Sequence, residues 1–217
     1  MTNFIPRLFS GILYIVIIFS SIVIGMKSFI TVFTIFTLIS TFEAYSLYKN
    51  IKSKGYNYNH PLIPPVYVLV SMLALIYIPF CGETLYDPFL ILFIFILIWI
   101  SDTMSYFFGS LFGRTNLKIV ASPNKTWEGF IGGLFCSVIF SYVSFSFIQE
   151  IFPLWKTILL GFTIPIFGLL GDVFQSRIKR KAGVKDSGNL IPGHGGLFDR
   201  LDSAIGNSFI TLIITVI

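Results

Sequence analysis

Between residues 172 and 202 the chain gathers side chains suited to handling phosphate. Asp172, Ser176, Lys179 and Arg180 fall at i, i+4, i+7 and i+8. A helix running through them puts a carboxylate, a hydroxyl and two cations on one face. Further on, Asp199 and Asp202 are spaced i, i+3 at the start of an apolar run, where the positive end of a helix dipole favours acids. The intervening "GNLIPGHGG" offers glycines whose backbone can approach phosphate oxygens, as anion nests do. Carboxylates mixed with Lys and Arg, without a Cys or His cluster, suit a hard cation. Mg²⁺ takes oxygen ligands, typically one or two carboxylates plus substrate phosphates. The side-chain cations then neutralise the remaining phosphate charge in an in-line displacement. Such a site handles a nucleoside triphosphate or a pyrophosphate. His194 reads as a group that orients the loop or binds phosphate, with general base as the alternative. An attacking phosphate monoester is largely ionised near neutrality and requires no base.

The elements that must position these groups are greasy. Of 217 residues, 55% are hydrophobic and only 12% are charged, about half the charge of a soluble domain. In hydrocarbon each backbone polar group must be satisfied within its own segment, so runs such as "DPFLILFIFILIWI" are helices. They do not alternate in polarity, which excludes a barrel. The expected fold is therefore all-α and polytopic, with about seven transmembrane helices near 8–26, 28–48, 62–80, 88–108, 127–148, 154–173 and 200–217. The stretch after Arg7 is too long for a leader's apolar region and no small-x-small site follows it, so it reads as the first span. Cys81 and Cys136 lie far apart and suggest neither a disulfide framework nor a metal site. With no internal repeat and no linker, residues 1–217 read as one membrane domain.

Charge distribution orients that domain. With the N-terminus inside, 13 of the 15 Lys and Arg residues fall on inner segments. The positive-inside rule then turns the polar cavity toward the cytoplasm. The net charge of +5 describes that face. It suits anionic headgroups or a polyanionic substrate, and nucleic acid is not needed to explain it.

Length places the acids in depth. Crossing roughly 30 Å of hydrocarbon takes about 20 residues. The fourth segment has twelve uninterrupted apolar residues, Phe89 to Ile100, worth about 18 Å. It must continue through "SDTMSYFF", which sets Asp102 at or below the inner boundary. The sixth segment ends likewise on Asp172, and only fifteen residues follow Asp202. Three spans thus run out of apolar residues at one leaflet and are completed by carboxylates. Intramembrane acids usually mark sites. If the sixth helix continues into the cytosol, Gly183 is its natural stop. Gly109/Gly113 and Gly129/Gly133 read as helix-packing pairs.

At this point the residues resemble a known family. "SRIKRKAGVKDSGNLIPGHGGLFDRLD", Ser176 to Asp202, matches every fixed position of S-x-[LIVMF]-K-R-x4-K-D-x-[GSA]-x2-[LIF]-[PG]-x-H-G-G-x2-D-R-x-D. That is the signature of the phosphatidate cytidylyltransferases. "WISDTMSYFFGSLFGR" and "SPNKTWEGFIGG" are similar to the family as well, so the likeness covers about residues 99–217. Residues 1–98 then count as amino-terminal spans and 99–217 as the catalytic ones. The resemblance implies Mg²⁺-dependent conversion of CTP and phosphatidate to CDP-diacylglycerol and pyrophosphate. A second cation such as K⁺ is left open, and a homodimer is expected. It implies Asp172 and Asp199 as metal ligands, with Ser176, Lys179, Arg180, Lys185, Asp186, His194, Arg200 and Asp202 lining the site. Gly195 and Gly196 carry over as substrate-binding backbone, Lys125 as a phosphate contact and Asp102 as a supporting acid. Gln175 departs from the glutamate often found there, and Met104 and Ser105 from a smaller pair. Against many bacterial members the chain is expected to carry one or two fewer amino-terminal spans.

Two other readings use the same side chains. A CTP-dependent lipid kinase would cleave at the γ-phosphate and release CDP, and the charges alone do not separate it from cytidylyl transfer. An ion-coupled transporter would use Asp102 and Asp172 as its cation site, but it calls for paired interrupted helices in two repeated halves. Pro165 interrupts one span without a partner in a repeat.

Overall fold

The computed structural model describes residues 4–53, 63–82, 85–119, 121–191 and 195–217. Its helices are α1 (Phe4–Ile24), α2 (Met26–Ser53), α3 (Ile63–Tyr77), α4 (Pro88–Phe112), α5 (Trp127–Val143), the single turn α6 (Phe145–Ile148), α7 (Leu154–Ala182) and α8 (Asp202–Val216). Apart from α6, they answer the seven expected segments one for one. The described residues form no sheet, only the isolated bridges Asn116–Thr126 and Ile191–Gly195. The architecture is that of an all-α membrane protein. By length and composition α2, α4 and α7 can cross a bilayer, and the remaining apolar helices are shorter.

Local chemistry explains several boundaries. The Asp87 carboxylate accepts the Phe89 and Leu90 N–H groups and Pro88 opens the first turn, so α4 starts there. It then runs 25 residues through "SDTMSYFF", as its short apolar run required. Thr126 caps α5 by accepting the Gly129 N–H at 3.3 Å. α7 extends 29 residues, beyond what the hydrocarbon needs, and stops at Gly183. There φ is +75°, a left-handed C-cap that favours glycine. The fifteen-residue α8 begins at Asp202, two residues later than the expected 200. Residues 197–201 form a tight turn instead, with the Arg200 and Leu201 N–H groups both donating to the Leu197 carbonyl. The idea that Asp199 and Asp202 share a helical face is corrected accordingly: Asp199 belongs to the turn and Asp202 to the helix.

Packing follows the small residues. α4 lies on α5, α5 on α7, and α7 on α8. A Cβ on Gly129 would meet the Ser105 carbonyl at 2.6 Å and Gly109 Cα at 3.0 Å, and one on Gly133 would reach the Ser101 carbonyl at 2.7 Å. Gly109 faces the same crossing, whereas Gly113 ends α4 against Thr126. The α7/α8 crossing is just as close. A Cβ on Gly171 would stand 2.7 Å from Gly206 Cα and 2.8 Å from the Asp202 carbonyl oxygen. With lipid offering little hydrophobic drive between helices, such close approach is what holds them. Around α1, α2 and α4 the core fills with Ile18, Ile22, Phe29, Phe33 and Phe95, and the rings of Phe29 and Phe33 lie 4.4 Å apart.

Candidate active site

The α7/α8 crossing sets the site, because Asp172 follows Gly171 directly and Asp202 lies one turn before Gly206. Both aspartates face a cavity of about 440 Å³ between α4, α5, α7 and α8. Asp102 of α4 lines the same cavity, with Ser101, Ser105 and Ser203 beside it. Three carboxylates from three helices therefore line one chamber.

The cation in the chamber comes from the α4–α5 loop. That loop is stiffened by bonds between the Leu117 N–H and the Lys125 carbonyl (2.9 Å) and between the Trp127 N–H and the Thr115 carbonyl (2.9 Å). The Thr115 N–H is taken by the Glu128 carboxylate. The Lys125 ammonium is thereby directed across the chamber into an ion pair with Asp172. On its other side Asp172 accepts the Ser176 hydroxyl at 3.2 Å, the i, i+4 contact its spacing suggested. Asn124 and Thr126 also line the cavity. They had been passed over on either side of Lys125 in "SPNKTWEG".

Asp199 is elsewhere. It does not line the cavity, and its side chain is buried among donors. Lys179 Nζ donates to Oδ1 at 2.6 Å, while Oδ2 accepts the Ser187 N–H (2.7 Å), the Ser187 hydroxyl (3.0 Å) and the Gly196 N–H (3.0 Å). Burial pushes the Asp199 carboxyl upward, but the Lys179 ammonium and the two backbone N–H groups outweigh it and hold it below the usual carboxylate range. Of the two expected metal ligands, Asp172 lines the cavity, while the Asp199 oxygens are engaged by Lys179, Ser187 and Gly196 in a knot beneath the turn. Lys179, expected on the face of Asp172, is drawn into that knot. The Gly196 amide, expected to meet substrate, is spent on Asp199.

The remaining expected residues fall at the margin. Arg180 is exposed and donates to the Val184 carbonyl at 3.3 Å, so it closes the end of α7. Lys185 and Asp186 are exposed on the following loop. Gly195 turns the chain at φ +84° and its carbonyl accepts the Ile191 N–H. The Arg200 carbonyl accepts the Tyr14 hydroxyl of α1 at 2.9 Å, and its Nε is buried without a hydrogen-bond partner. Gln175 is wholly buried, and neither of its amide atoms has a partner. His194 lies outside the described residues. One functional candidate was missed altogether. Glu43 of α2 is buried, and its carboxylate accepts the Leu197 and Phe198 N–H groups. The rule that flagged the other acids, a carboxylate inside an apolar span, applies equally to "STFEAYS".

The donor set of the chamber is all oxygen, which fits Mg²⁺ and not a soft metal. Among the described residues no three of His, Cys, Asp and Glu converge closely enough to hold an ion unaided. A Mg²⁺ ion held by one or two carboxylates typically completes its shell with substrate phosphates.

Comparison with known proteins supplies the lineage. A phosphatidate cytidylyltransferase of Staphylococcus saprophyticus is 49% identical over 113 residues, covering 52% of this chain and 44% of the relative. Its counterpart in Staphylococcus aureus is 50% identical over 115 residues, with the same coverage. The match thus spans less than half the length of these relatives. The profile described as the cytidylyltransferase family matches residues 2–217. With a match that runs nearly end to end, the chain belongs to the cytidylyltransferase family.

Proposed function

We propose that the chain transfers the cytidylyl group of CTP to phosphatidate, giving CDP-diacylglycerol and pyrophosphate. The observation that carries the proposal is the chamber in which Asp102, Asp172 and Asp202 face Lys125 at one end of the helix bundle. Its acids suit a hard cation, its lysine suits a phosphate, and its position among apolar helices suits a substrate delivered from the bilayer. The positive-inside count supports a cytoplasmic opening, where CTP is available.

In the reaction a phosphate oxygen of phosphatidate attacks the α-phosphorus of CTP. A new P–O–P linkage forms, the bond between the α-phosphorus and the bridging oxygen breaks, and pyrophosphate leaves with that electron pair. Catalysis of this kind is mostly positioning and charge stabilisation. Asp172, one of the two ligands the resemblance implies, would hold Mg²⁺ together with phosphate oxygens, with Asp102 and Asp202 nearby as supporting acids. The bound ion neutralises phosphate charge. Lys125 adds positive charge from the opposite wall and, on nucleotide binding, exchanges its Asp172 partner for a phosphate. Ser176 keeps the Asp172 carboxylate oriented. The homodimer implied by the resemblance remains part of this reading, to be checked by cross-linking in membranes.

Purified protein incubated with α-labelled CTP, phosphatidate and Mg²⁺ should place the label in the lipid and release pyrophosphate. Release of CDP with a phosphorylated lipid would instead establish the kinase reading. Absence of any lipid product would end both.

A further inference from the structure

The side chain that holds the signature turn comes from outside the signature. Glu43 lies within α2, 8% exposed, 144 to 155 residues before its partners. Its Oε1 accepts the Leu197 N–H at 3.1 Å. Its Oε2 accepts the Phe198 N–H at 2.9 Å and the Ser187 hydroxyl at 2.7 Å. Among the described residues no Lys or Arg pairs with it. The loop is shaped around this carboxylate. A Cβ on Gly188 would stand 2.8 Å from Oε1, and one on Gly196 would overlap Oε2.

Ser187 then joins two acids. Its single hydroxyl proton lies between Glu43 Oε2 and Asp199 Oδ2, 2.7 and 3.0 Å away. Glu43 and Asp199 thus clamp both ends of one loop, Ser187 on one side and Gly196 to Phe198 on the other. Asp202 leaves this clamp directly for the chamber wall.

We propose that Glu43 is a positioning residue. It anchors the turn from Gly196 to Asp199 and so fixes where Asp202 meets Asp172 and Asp102. The inference rests on the reading that the chamber performs cytidylyl transfer. The anchor needs acceptors on both oxygens. In Glu43→Gln an amide NH₂ must face either Leu197 N–H or the Phe198 and Ser187 donors, donor against donor. Glu43→Asp keeps both acceptors on a stem shorter by one methylene.

Two readouts on the full chain in detergent test the proposal. Hydrogen–deuterium exchange across residues 187–202 reports the anchor without reference to turnover. Steady-state kinetics with CTP, phosphatidate and Mg²⁺ reports its consequence. Glu43→Gln should speed exchange in that segment and lower kcat about tenfold or more, with KM for CTP within about twofold. Glu43→Asp should restore most of the lost kcat. Unchanged exchange in Glu43→Gln overturns the anchor even if the wild type proves to catalyse another reaction, so the two failures stay distinct. Faster exchange with undiminished kcat, or Glu43→Asp no better than Glu43→Gln, overturns the positioning role. Should Glu43→Gln fail to fold, Ser187→Ala removes the bridge alone: faster exchange and a kcat about threefold lower support the proposal, and no change in either overturns it.

Discussion

Two acidic clusters lie a few residues apart and are built on opposite terms. In the knot beneath the turn, Asp199 receives a lysine, a hydroxyl and two backbone N–H groups, and Glu43 receives two N–H groups and the same hydroxyl. In the chamber, Asp172 has Lys125 and one serine, and Asp202 has the N–H of the adjacent Ser203. A buried carboxylate surrounded by donors is tied to its place and has little left to offer a ligand. One short of donors beside an open cavity retains lone pairs for a cation. Residue type is the same in both clusters. What differs between them is the supply of donors, and that difference sets opposite expectations for substituting each.

The contrast is broken most directly by amide substitution. Asp172→Asn or Asp202→Asn should lower CDP-lipid formation by about a thousandfold or more, on the scale of losing a group that acts on transition-state charge. The detergent melting temperature should stay within a few degrees of wild type. Activity retained within tenfold would erase the distinction from the chamber side. Asp199→Asn should behave differently. It leaves Lys179 uncompensated in a buried setting, which costs about 3–5 kcal/mol, so melting and activity should fall together. An inactive Asp199→Asn protein with wild-type melting would place Asp199 in the chemistry itself.

Acidity sharpens the same comparison. The Asp199 carboxyl is held below its ordinary range in the folded protein, against about 3.9 unfolded. The stability it contributes is full above the unfolded value and disappears as pH falls through the folded one. A melting series in detergent from pH 6 to pH 3 should show this loss in wild type and a flatter profile in Asp199→Asn. Equal slopes would mean that the knot does not hold the ionised form. The smallest effect is expected at Lys125. Lys125→Ala removes one charge-assisted phosphate contact and should raise KM for CTP about tenfold while kcat changes less. A fall in kcat alone would show that the lysine acts only in the transition state.

Much of this was legible before any coordinates. Counting apolar residues against bilayer thickness required α4 to run past Asp102, and it does; the spacing of Ser176, Lys179 and Arg180 suggested that the sixth helix continues beyond Asp172, and α7 does so. Gly183 closes α7 where a helix stop was expected, and Gly109, Gly129 and Gly133 sit at the α4/α5 crossing. Spacing alone did not reveal that Asp199 turns away from Asp202. A three-residue offset shares a face only inside a helix, and the turn at 197–201 breaks the period one residue before α8 begins. Arg180 went to a helix-end carbonyl and Lys179 to the knot, since helical registry specifies a face and not a partner. Glu43 was legible but unread, because its partners lie 144 to 155 residues away and no local pattern joins them.

The meeting of Gly171 with Gly206 has a consequence for how the site tolerates its surroundings. The spacing of Asp172 and Asp202 is referred to main chain against main chain, with no side chain between them to change rotamer. Helices answer a thicker or thinner bilayer by tilting. A tilt about this contact swings the distant ends of α7 and α8 widely and the neighbouring acids very little. With this contact as the pivot, the geometry that the two carboxylates share should change little with membrane composition.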